Sequence, residues 1–84
     1  MADQPRVLVV DDEPGLLRAV ERVLGRRHQV RGVATPAEAL AAMPGFAPDL
    51  AILDIRMPEM DGFELMQRLK ELQPDLDVIL MTGS

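Results

Sequence analysis

The chain has 84 residues, a net charge of -5, no cysteine and only two aromatic residues, Phe46 and Phe63. These values exclude disulfides and thiolate metal sites, and leave no basic block for nucleic-acid binding. The apolar runs are far shorter than the roughly 20 residues a bilayer span needs. The start, Met1-Ala2-Asp3-Gln4-Pro5, lacks a signal-peptide layout, so a cytoplasmic location with no membrane partner is expected. A chain this short makes one small domain with a modest core, built here from Leu, Val, Ile, Ala and Met.

Arg6 to Val10 reads as a buried strand, with four consecutive apolar residues, three of them β-branched. Pro14-Gly15 opens a helix whose apolar stripe is Leu16, Leu17, Val20, Val23 and Leu24, and Gly25 is its stop. Gln29 to Ala34 is a weaker strand that carries Arg31 and Gly32, which suits a sheet edge. Thr35-Pro36-Ala37-Glu38 has the residues of a capping box, and this second helix is expected to stop at Pro44-Gly45. Leu50 to Leu53 is the third strand. Gly62 to Leu72 is the third helix, with Leu65, Met66, Leu69 and Leu72 on its inner face, and Pro74 follows it. Val78 to Met81 is a fourth strand before Thr82-Gly83-Ser84.

The order β-α-β-α-β-α-β argues for an open α/β parallel sheet. Right-handed crossovers then bring Asp11, Asp12, Asp54 and Thr82 to the C-terminal strand ends, the edge where such sheets bind ligands. Three crowded carboxylates repel one another and call for a cation or a bound phosphoryl group. Each residue also has a plainer reading. Asp11-Asp12 would serve as helix caps, Asp54 as a turn residue, and Thr82 as an ordinary strand former. Asp61 reads as a helix cap. His28 and the arginines 26, 27 and 31 read as a solvated helix end, and the methionines as packing.

Taken together, the segments Val9-Val10-Asp11-Asp12-Glu13, Asp54 with Met57-Pro58 and Met60-Asp61-Gly62, and Met81-Thr82-Gly83 resemble the receiver domain of bacterial two-component response regulators. The resemblance implies a flavodoxin-like sheet in the order 2-1-3-4 with three helices. It implies that Asp54 accepts a phosphoryl group from a sensor histidine kinase or phosphotransfer protein. It also implies that Asp11, Asp12, Asp54 and the backbone carbonyl of Arg56 hold Mg²⁺, and that the Thr82 hydroxyl is a switch.

The family has five strands and five helices, so residues 1–84 are expected to be an incomplete receiver domain. The last two helices, the fifth strand and the lysine on that strand have no counterpart here. Lys70 falls on the third helix and cannot replace that lysine. The apolar fourth strand is then a free edge, and self-association through it is expected. Three functions compete: a phospho-acceptor module, a phosphorylation-independent dimerisation or docking module, and an aspartate-based phosphatase. The phosphatase ranks last, because such enzymes need a second acid two residues after the nucleophile and Arg56 stands there.

Overall fold

Strands and helices alternate along residues 4–82, the part of the chain that the computed structural model describes. The elements are β1 (Arg6–Val10), α1 (Pro14–Leu24), β2 (Gln29–Val33), α2 (Pro36–Phe46), β3 (Leu50–Asp54), α3 (Gly62–Leu72) and β4 (Asp77–Met81). Met1, Ala2, Asp3, Gly83 and Ser84, which include the end of the Met81-Thr82-Gly83 match, lie outside the described residues.

All strand pairs are parallel, in the order β2-β1-β3-β4. Central β1 is buried from Val7 to Val10, as a continuous apolar run in a two-faced sheet should be. Leu8 and Val10 join Ala51 and Leu53 beneath α2 and α3, in a core completed by Ala39, Ala42, Met43, Leu65, Leu69 and Leu76. Each fully buried leucine contributes about 1.5–3 kcal/mol by leaving water. At the opposite end of the sheet, Asp49 ties β3 to β1. Its Oδ2 accepts from Arg6 N at 2.8 Å, and its own N–H donates to Arg6 O at 2.8 Å.

The helix on the other face, α1, packs against β2 and β1. None of its residues is buried, and Val23 is 73% exposed, so the expected five-residue stripe is covered on one side only. Leu72, also expected inside, is 60% exposed on the last turn of α3. The second helix runs past its expected stop: Pro44 lies inside it, and it ends at Phe46. Phe46 packs against the core, and Ala47 closes the helix with a left-handed φ of 49° and an N–H bond to Met43 O at 2.9 Å. A proline so near the end removes one helical bond without a further turn to disrupt. The start of this helix is as read: Glu38 N donates to Thr35 Oγ1 at 3.1 Å, and Thr35 N donates back to Glu38 Oε1 at 3.1 Å. No helix among the described residues is long and apolar enough to cross a membrane.

Candidate functional site

The site is built from the last residue of β3 and the two residues that follow β1. Val10 and Leu53 are partners in the register of β1 and β3, so the next residues, Asp11 and Asp54, come side by side at the C-terminal edge. Carboxylate oxygens of Asp11, Asp12 and Asp54 all lie within 4.8 Å of one another. Asp11 is 4% exposed and Asp54 8%, while Asp12 is open to solvent.

Each buried carboxylate is tethered by one short backbone bond. Asp11 Oδ1 accepts from Glu13 N at 2.8 Å, and Asp54 Oδ1 accepts from Arg56 N at 3.1 Å. The Asp11 bond is an Asx turn rather than a helix cap. The N-cap of α1 is Glu13, which makes no side-chain cap bond, so the capping role considered for Asp11-Asp12 is not what the chain adopts. Burial pushes the Asp11 carboxyl above its ordinary value of 3.8. The Glu13 N–H offsets part of that rise, while the nearby charges of Asp54, Asp12 and Glu13 add to it.

Among the described residues, no arginine or lysine forms an ion pair with these carboxylates. Among the described residues the one ion pair is Arg68–Glu64, on the exposed face of α3. Two buried carboxylates with a third at the rim, and no arginine or lysine against them, match the need of a hard divalent cation. Opposite ligands of Mg²⁺ stand about 4.1 Å apart and those of Ca²⁺ about 5 Å. Carboxylate oxygens within 4.8 Å of one another can converge on one oxygen-bound cation by side-chain rotation.

Of the remaining sequence-predicted residues, Arg56 and Thr82 stand next to this cluster. Arg56 is exposed on the loop after β3, its amide already engaged by Asp54. Thr82 is exposed directly after Met81, the β4 partner of Asp54, so it stands at the neighbouring strand end. Asp61 is a helix cap, as read: its Oδ1 accepts from Glu64 N at 2.8 Å. His28 sits remote from the site, its Nδ1 3.1 Å from Leu24 O. Met57 is buried under the site loop and belongs to the core.

Known proteins share this fold. Residues 7–84 match the family described as the response regulator receiver domain. A response regulator receiver domain protein of Methanospirillum hungatei JF-1 superimposes with a TM-score of 0.91 at 32% identity, over 98% of this chain and 66% of that one. The non-phosphorylated HemR receiver domain of Leptospira biflexa does so with a TM-score of 0.84 at 30% identity, over 96% and 68%. Sporulation initiation phosphotransferase F of Bacillus subtilis is 33% identical over 79 residues, which is 93% of this chain and 64% of that protein. The C4-dicarboxylate transport transcriptional regulatory protein DctD of Rhizobium meliloti is 38% identical over 99% of this chain, but the match is only 18% of its own length. The chain thus spans about two thirds of the receiver structures and a small part of the longer regulators. On this match, over a sheet of the same order and an acid cluster at its C-terminal edge, the chain belongs to the response regulator receiver domain family.

Proposed function

We propose that this chain is a phospho-acceptor module, which takes a phosphoryl group from a histidine kinase or phosphotransfer protein onto Asp54. The observation that carries the reading is the uncompensated carboxylate cluster, in which Asp54 is buried beside Asp11 and within reach of Asp12. Asp54 Oδ1 is held by the Arg56 amide, its only hydrogen bond from the described residues, which leaves Oδ2 to attack. The Oδ2–P bond forms as the bond from phosphorus to the donor's imidazole nitrogen breaks, and the imidazole leaves with that electron pair. Asp11, Asp12, Asp54 and the carbonyl of Arg56 would hold Mg²⁺, which neutralises charge on the phosphoryl oxygens when bound. The exposed Thr82 hydroxyl, at the adjoining strand end, would sense the new phosphoryl oxygens. Such a module works in the cytoplasm, assists its own modification and turns over no separate substrate.

The test is incubation with acetyl phosphate and MgCl2, read by intact mass. A gain of one phosphoryl group is expected, absent with EDTA and absent in Asp54→Asn. Modification that persists in Asp54→Asn would refute the assignment.

A second reading is favoured by β4, which among the described residues pairs with β3 alone and leaves Ile79 51% exposed. On that reading the chain is a dimerisation or docking module that works without phosphorylation. Its mark is association indifferent to both Mg²⁺ and Asp54→Asn.

A further inference from the structure

We propose that Gly62 is a positioning residue for Asp54: with no side chain at 62, the first turn of α3 rests directly on the Asp54 peptide and fixes the aim of its carboxylate. The inference rests on Asp54 being the metal-binding acceptor. Gly62 is buried. A Cβ placed on it would meet Asp54 O at 2.8 Å, Ile55 Cα at 2.9 Å and the Asp54 carbonyl carbon at 3.2 Å. All three are backbone atoms, so no flexible side chain can swing away to make room. Ordinary contact requires the two segments to part by roughly half an ångström.

The acceptor peptide is also held from its far side. Asp54 is paired with Met81, and Ile55 N donates to Met81 O at 2.9 Å. On the near side, Gly62 N donates to Ile55 O at 2.9 Å, and the Asp61 cap fixes the turn that carries Gly62. The strand end is therefore clamped between β4 and α3. The carboxylate hangs from that clamped peptide, tethered by the Arg56 amide. A methyl group at 62 wedges the clamp open at the residue whose oxygens must meet Asp11 and Asp12. Gly45, by contrast, has nothing within 4 Å of an added Cβ and serves as a control.

The experiment is calorimetric titration with MgCl2 of the parent chain, Gly62→Ala, Gly45→Ala, Asp54→Asn and the Gly62→Ala/Asp54→Asn double variant. Gly62→Ala is expected to weaken Mg²⁺ binding about tenfold, the usual effect of disturbing a residue behind a metal ligand. Gly45→Ala should match the parent. The double variant should bind no more weakly than Asp54→Asn, because the glycine acts through that carboxylate. Parent-like affinity in Gly62→Ala, or an equal loss in both backgrounds, would overturn the inference. If Gly62→Ala does not fold, Asp61→Ala keeps the glycine and loosens the same turn. It should give a smaller loss that again vanishes in Asp54→Asn, and no loss there would overturn the inference as well. A parent chain that binds no Mg²⁺ defeats the acceptor reading, a result distinct from all of these.

Discussion

Asp11 carries a cost that a bound cation would offset. Its carboxyl is buried, and its ordinary value of 3.8 is raised by that burial and by the acids around it. As pH rises from 3.8, the unfolded chain releases the Asp11 proton first while the native chain retains it. Native stability therefore falls through that window and stays lowered once Asp11 is charged. Asp11→Asn removes the charge and keeps the shape. The metal-free variant should be more stable than the parent at neutral pH, and its stability should fall less on leaving acid pH. At saturating Mg²⁺ the order should invert, because the variant has lost a ligand. Thermal melts with EDTA and with MgCl2, across pH, check both halves. The charge cluster was legible in the sequence because each acid ends an apolar run, and a parallel sheet brings such ends to one edge. The exposure of Val23 and Leu72 was not legible. Helical spacing shows which residues share a face, but not whether a neighbour covers it. Nor were Pro48 and Leu76, both fully buried, since short turns carry no periodic signal.

At the level of elements, side-chain chemistry located helix starts better than helix ends. The starts of α2 and α3 are fixed by bonds that the residues themselves name: Thr35 with Glu38, and Asp61 to Glu64 N. The end of α2 depends on tertiary packing instead. Phe46 reaches the core, so the helix continues through Pro44 and Gly45, the pair that reads as a stop. Even the stop of α1 works differently from the usual left-handed glycine. Gly25 has φ -64°, and it is there because a Cβ would strike the Glu21 carbonyl oxygen. The capping box gives a measurable expectation. Thr35→Ala leaves Glu38 N without its acceptor and should lower stability by about 1 kcal/mol. Urea unfolding should show a lower midpoint at an unchanged slope, because no large surface is rearranged. A loss within error would mean that water replaces the hydroxyl and that the box contributes nothing.

Over the whole molecule, the two faces and the two edges of the sheet are unequally finished. One face carries α2 and α3 above a continuous core. Among the described residues the other carries only α1, beside a hollow lined by Ala19, Val20, Val23, Leu24, Ile52 and Met81. One edge, β2, includes exposed Arg31 and a glycine, both poor invitations to a further strand. The other edge, β4, has its single charge at Asp77 and then only Val78, Ile79, Leu80 and Met81. Unpaired N–H and C=O groups along an apolar strand recruit another strand, and a second copy supplies one at high concentration. We therefore expect the 84-residue chain to associate in light scattering after size exclusion, with the mass per particle rising with concentration. Ile79→Lys places a charge in the middle of that edge. Because Ile79 is already half exposed, the substitution should change stability by no more than about 0.5 kcal/mol. It should nevertheless shift the population to the mass of one chain, since pairing would bury the ammonium. Val23→Lys, across the hollow on α1, separates edge pairing from face packing. If β4 is the route, Val23→Lys leaves the association in place, and a monomer from Val23→Lys alone would move the contact to the α1 face. A parent chain that stays monomeric at every concentration would show that an edge with four apolar residues is too short to hold a partner.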